Sequence, residues 1–237
     1  MKNQYFGDIN DFRKYGLLRA ILGEGKPRFK MLVAWMLTED DGRSDGKFTS
    51  YLNDSMNWER FDPVLYSALC QLMSSSRRNV GLIEKSELLP EATYFSKITP
   101  DNRLERDQWF NNLESRSKGC DLVFLDPDNG LEIKSKPYGR KSSSKYLYWP
   151  EVESLWKNGK SLLIYQHFIR EERSGFIQKL HGEFTSRTPE SKIEAFSTAN
   201  VVFFLVLQPN HAIHLNPIVR NILKHWQGQI TPSVIKQ

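Results

Sequence analysis

Asp126-Pro127-Asp128-Asn129-Gly130 places two carboxylates, a carboxamide and a rigid turn within five consecutive positions. Such a set can accept hydrogen bonds from an amino group, gather a cation or steady a proton acceptor. Asp40, Asp41, Gly42 and Asp45 form a second acid-rich turn, and Gln166-His167 adds a carboxamide and an imidazole. A histidine in that position could serve as a general base or a polar substrate contact, although a satisfied structural histidine fits the pattern equally well. Near the N-terminus Asp8, Asp11, Lys14 and Tyr15 lie close together, and Ile133 to Lys145 carries five basic residues and no acid. Within that basic stretch Arg140, Lys141 and Lys145 are candidates for holding phosphate.

Each acid-rich or polar turn follows a run that reads as a buried strand. Leu122 to Leu125 is uninterrupted and apolar, Lys30 to Met36 is nearly so, and Ser161 to Tyr165 leads into Gln166. Runs of this kind suit strands covered on both faces. In open α/β sheets ligands sit outside the carboxyl ends of the strands, so the turns after these strands are expected to face one cleft. Their bland reading is three ordinary surface turns.

Helices alternate with the strands. Asp8 caps a first helix whose apolar stripe (Ile9, Phe12, Leu17, Leu18, Ile21) ends at Gly23, and its charged face is by default solvated. Asp62-Pro63 opens a second helix, Thr99-Pro100-Asp101 a third, and Trp149-Pro150 a fourth that stops at Asn158-Gly159. Val80 to Ile83 and Ala92 to Ile98 read as short strands, and residues 171 to 184 as a helix. Lys192 to Phe196 and Asn200 to Leu207 are close enough for an antiparallel pair, and a helix from Pro217 to Trp226 follows. The pattern predicts one α/β domain over 1–237, with three layers, a mostly parallel sheet and a C-terminal antiparallel β-hairpin. Residues 133–148 form a basic loop inserted at the sheet edge.

A formal charge of +5 permits nucleic acid as a partner without requiring it. The longest apolar run, Val201 to Leu207, falls far short of the ~20 residues of a membrane span, so no membrane association is expected. Cys70 and Cys120 form no Cys-x-x-Cys pair, and no charged-then-apolar leader is visible, which points to a reduced cytoplasm. The five histidines fall on separate elements with no zinc-type spacing.

The order of strand, Asp126-Pro127-Asp128-Asn129 turn, helix, buried strand, helix and terminal hairpin resembles the second half of Rossmann-like class I S-adenosylmethionine-dependent methyltransferases. Among these, N6-adenine enzymes carry (Asp/Asn)-Pro-Pro-(Tyr/Phe) at the end of the fourth strand. Gly7-Asp8-Ile9-Asn10-Asp11-Phe12-Arg13-Lys14-Tyr15 is loosely similar to the opening of adenine-N6 methyltransferases that act on large-subunit ribosomal RNA. The resemblance implies that Asp126 accepts a hydrogen bond from a target amino group and that Pro127 supplies a carbonyl. Asp128 and Asn129 would face the substrate beside them, with Gln166 and His167 completing the wall. Asp11, Lys14, Tyr15 and Tyr146 would contact substrate, and Trp35, Asp40, Asp41, Gly42 and Asp45 would line the S-adenosylmethionine side. The sequence departs from the family pattern at two places. Asp128 and Asn129 replace the second proline and the base-stacking aromatic, and Trp35 to Gly42 offers no Gly-x-Gly after the first strand.

The same residues suit a different reaction. Asp126, Asp128, Glu132 and the Asp40-Asp41-Asp45 set are hard oxygen donors for Mg²⁺ or Mn²⁺ in a nuclease or phosphodiesterase, with Lys134 near the phosphate. Only three residues separate Asp128 from Glu132, less than the hairpin usual between such acids. The remaining alternative is an inactive nucleic-acid-binding module. In it the basic loop grips phosphates while Tyr138, Tyr146, Tyr148 and Trp149 stack on bases.

Overall fold

The computed structural model describes residues 1–23, 25–42, 46–75 and 77–233. Asp45, one of the acids assigned above to the cofactor or metal side, lies outside the described residues. Helix α1 (Ile9–Leu22) starts where Asp8 Oδ1 accepts the Asn10 N–H at 2.7 Å, and it stops at Gly23, which adopts φ 84°. Strand β1 (Met31–Ala34) follows, then helix α2 (Pro63–Ser75), whose first turn is capped by Asp62 through the Leu65 N–H. Strand β2 (Thr93–Phe95), helix α3 (Arg103–Arg116) and strand β3 (Leu122–Leu125) come next.

Two short strands, β4 (Gly130–Leu131) and β5 (Tyr146–Leu147), pair with each other beyond β3. Helix α4 (Trp149–Lys157), strand β6 (Ser161–His167) and helix α5 (Arg173–Arg187) complete the central part. The chain closes with β7 (Lys192–Ser197), β8 (Val201–Leu207), helix α6 (Leu215–His225) and β9 (Thr231–Pro232).

The main sheet has the order β2-β1-β3-β6-β8-β7-β9. Strands β2, β1, β3 and β6 run parallel, β8 is antiparallel to β6, and β7 is antiparallel to β8. The molecule is thus α/β with a mostly parallel central sheet. Alternate residues along each strand feed two separate cores. Met31, Val33, Leu122 and Phe124 pack toward α1, α2 and α6, whereas Leu32, Ala34, Val123 and Leu125 pack toward α3, α4 and α5. Every residue of β1 and β3 is buried, which is why those runs carry no polar alternation. On the first face Gly16 of α1 touches Trp226, and a Cβ there would overlap the indole, so glycine's usual cost inside a helix is accepted for close packing.

Several sequence expectations change. Val80 to Ile83 does not form a strand, since Gly81–Glu84 is a single helical turn. The strand expected from Ala92 to Ile98 is confined to Thr93–Phe95, with an isolated bridge joining Leu37 to Ile98. Helix α3 is capped by Asn102 and not at Thr99-Pro100-Asp101, because the Asp101 carboxylate accepts the Ser142 and Ser144 N–H groups, each at 2.7 Å. Those bonds, the Tyr148 hydroxyl donating to the Lys136 carbonyl and the β4–β5 pair tie the basic segment, which the sequence reads as an inserted loop, to the body of the protein. Among the described residues no helix is long and apolar enough to cross a membrane.

Candidate functional site

Because β1, β3 and β6 are adjacent and parallel, the turns that follow them emerge at one edge of the sheet. A cavity of about 530 Å³ opens there, bounded on one side by the first turns of α1 and on the other by the Asp126 turn. Asp41, Asp126, Pro127, Asp128, Asn129 and His167 all line it, as do Asp11, Lys14 and Lys145. The sequence-derived residues from five segments therefore converge on one chamber.

Lys14 sits at the floor. Its ammonium is 2.9 Å from Asp11 Oδ1 and 2.7 Å from Asp126 Oδ2, and all three side chains are buried. The solvated face expected for Asp8, Asp11 and Lys14 is overturned, since the helix turns these charges inward against the end of β3. Aromatic rings of Trp35 and Tyr165 flank the ammonium at 6.0 and 5.2 Å from their centroids. Burial opposes the charge on Lys14, yet Asp11 and Asp126 hold its pKa above the ordinary lysine value. Burial lifts the Asp11 carboxyl to about 6 against the pull of Lys14, as expected where two carboxylates share a single ammonium. Asp11 Oδ2 also accepts hydrogen bonds from the Gly7 N–H and the Tyr15 hydroxyl, each at 3.2 Å.

Asp128 lies between two further lysines, with Lys145 Nζ at 3.7 Å and Lys2 Nζ at 3.8 Å from its Oδ2. Lys2 also reaches Asp41 at 2.5 Å, and Gln4 exchanges hydrogen bonds with Asp41 while its N–H donates to Asp40. Lys2 was missed at the sequence level because nothing in its local pattern announces a partner 39 positions away. His167, half-buried on the opposite wall, shares a 3.1 Å hydrogen bond with the Tyr165 hydroxyl through Nε2. Burial lowers its pKa, which favours the neutral ring at pH 7.

Other assigned residues take different places. Trp35 is wholly buried between Tyr15, Tyr94 and Phe124, with its indole N–H donated to Glu84, so it faces the core and not the cavity. Tyr15 reaches the chamber only through Asp11. Asp40 and Gly42 are exposed, and no neighbour lies within 4 Å of where a Cβ on Gly42 would stand. Gln166 is a strut: its Oε1 accepts the Leu131 N–H and its amide donates to the His167 carbonyl. Tyr146 is buried in β5, and its carbonyl accepts from Arg106. Of the phosphate-binding candidates only Lys145 lines the cavity. Arg140 and Lys141 belong to the segment that Asp101 pulls toward the start of α3.

Three His, Cys, Asp or Glu side chains gather nowhere among the described residues in a way that could hold a metal ion. Lys14 fills the space between Asp11 and Asp126 with its own positive charge, and Glu132 turns away to accept the Trp149 N–H at 2.8 Å. The chain matches no protein-family model and no curated protein.

Proposed function

We propose that this chain is a Rossmann-like, nucleic-acid-directed methyltransferase that uses S-adenosylmethionine, with its site at the Asp126-Pro127-Asp128-Asn129 turn. One observation carries the reading: a chamber at the carboxyl ends of three adjacent parallel strands, with a buried Asp126 at its floor and charges of both signs on its walls. The sequence of β3, the acidic turn, α4, β6, α5 and the antiparallel β7–β8 pair supports it, being the order that the resemblance to class I enzymes requires.

A methyl donor of this kind carries a sulfonium, an ammonium and a carboxylate. Asp41 and Asp128 suit its positive groups, and Lys145 and Lys2 suit its carboxylate. When bound, it supplies an electrophilic methyl group. The chain's own residues would do the rest. Lys14 fixes the Asp126 carboxylate in place, Asp126 accepts an N–H of the target amine, and His167, held by Tyr165, stands ready to receive the proton that the amine gives up.

The test is transfer of a labelled methyl group from S-adenosylmethionine to RNA and DNA. Intact protein should label one of them, and Asp126→Asn should lose about 100-fold or more of the rate. With the Asp11 pKa at about 6, the floor gains negative charge as pH rises through 6, so the rate should fall on acidification below that point. Absence of labelling in both nucleic acids would exclude the reading.

A binding module without catalysis is favoured by one feature, the ion pair that already engages Asp126. It would show itself as nucleic-acid binding with no methyl transfer.

A further inference from the structure

Strand β7 is an edge strand over its first half. Strand β9 pairs with Phe196 and Ser197, and the Ser233 N–H donates to the Ala195 carbonyl at 2.7 Å. Among the described residues nothing pairs with Lys192, Ile193 or Glu194 on that side. The Ala195 carbonyl therefore points away from β8, and alternation along the strand turns the Ile193 N–H and carbonyl the same way. An open edge of this kind is a template for a further strand.

A groove of about 810 Å³ follows the edge, with His181 and Thr185 of α5 on one wall and Leu215, Val219 and Leu223 of α6 on the other. Those three recur every fourth residue, a second apolar stripe on α6 beside the buried Ile218 and Ile222, and Leu223 is 52% exposed. Glu194 lies on the α6 side of the groove, on the same face of β7 as Phe196. The Ala195 and Ser233 N–H groups act on its carboxylate, yet Oε1 is buried without a hydrogen-bond partner. Burial lifts this carboxyl to about 7, and no described lysine, arginine or histidine pairs with it. A buried carboxylate without a counter-ion suits a ligand that brings one.

We propose that this groove docks a protein partner, which lays an extended basic segment along β7 as an added strand. The partner's main chain meets the outward N–H and carbonyl of Ile193, a lysine or arginine side chain reaches Glu194, and neighbouring apolar side chains cover the Leu215-Val219-Leu223 stripe. A nucleic acid fits poorly, because Glu194 repels phosphate. A small amine would satisfy Glu194 and leave the strand edge unpaired. No residue that lines this groove lines the chamber, so a partner held here leaves the Asp126 site open.

Fluorescence anisotropy with a labelled peptide of alternating valine and lysine, added to the full chain, tests the proposal. The parent should bind it, and Glu194→Gln should bind about tenfold more weakly. Leu223→Ser, at an exposed position, should weaken binding about threefold. Replacing the peptide's lysines by glutamates, or N-methylating its main chain, should abolish binding. Glu194→Gln should melt at or above the parent's temperature, since the carboxylate it removes has no counter-ion, and this separates a lost contact from a lost fold. No binding by the parent, equal binding by Glu194→Gln, or undiminished binding of the acidic or N-methylated peptide would overturn the proposal. Binding by a chain ending at Ser233 and not by the full chain would also overturn it, by assigning the edge to the protein's own last residues. None of these readouts depends on methyl transfer.

Discussion

Lys14→Met should lower stability by about 3–5 kcal/mol, seen as a lower urea midpoint with an unchanged slope. The substitution keeps most of the side-chain volume, so the loss reports charge. Asp11 and Asp126 would lose the ammonium that stands 2.9 and 2.7 Å from them, leaving the Met1 ammonium as the remaining positive charge that acts on both. Carboxylates in that position raise their pKa values and take up protons. An acid whose folded pKa is raised stabilises below its unfolded pKa and ceases to do so as pH rises through the folded value. The deficit of Lys14→Met should accordingly be larger at pH 8 than at pH 5, and adding Asp11→Asn should recover part of it. A loss below about 1 kcal/mol at pH 8 would show that the floor of the chamber is solvated and not sealed.

Arg106→Leu should cost a similar amount, about 3–5 kcal/mol by the same denaturation measurement. Arg106 is 1% exposed, and its guanidinium donates to both carboxylate oxygens of Glu151, at 2.7 and 2.9 Å, and to the Tyr146 carbonyl at 3.1 Å. Glu151 also accepts the Tyr148 N–H at the start of α4, so removing the arginine leaves a buried carboxylate with a single weak partner. The consequence reaches the site. Arg106 holds β5 in place, and the Lys145 carbonyl just before β5 accepts the Asn129 N–H at 2.9 Å. Amide exchange over residues 143–147 should therefore accelerate together with the drop in stability. Arg106→Leu combined with Glu151→Leu should be far less damaging, because an apolar pair can replace a buried ion pair at little cost.

Much of the scaffold could be read from local sequence, because its signals are local. Asp8 and Asp62 cap helices through N–H groups two or three residues away, Gly23 ends α1 by taking a positive φ, and the unbroken runs of β1 and β3 reflect burial on both faces. Where long-range partners compete, the local reading fails. Asp101 has the composition of a helix cap, yet its carboxylate serves backbone N–H groups 41 and 43 positions later. Val80 to Ile83 has the apolar content of a strand but closes as a helical turn.

The candidate site divides the same way. Its acids were visible as turn residues after buried strands, and the parallel pairing of β1, β3 and β6 brings them together. The ion pair between Lys14 and Asp126 spans 112 positions and leaves no periodic trace, so the charged face of α1 reads by default as solvated, even with Asp11, Lys14 and Tyr15 as candidate substrate contacts. Trp35 follows β1 on the face shared with α1, but Tyr15, Tyr94 and Phe124 enclose its ring, so it flanks the Lys14 ammonium from within the core and does not line the cavity.

Isothermal titration of the intact protein with S-adenosylmethionine tests the central claim most directly. The expected result is binding at one site per chain, with a rise in melting temperature at saturation and affinity reduced about tenfold or more in Asp128→Asn, whose carboxylate lies between Lys2 and Lys145. No heat of binding and no thermal shift with folded parent protein would contradict the assignment of this chamber to a methyl donor.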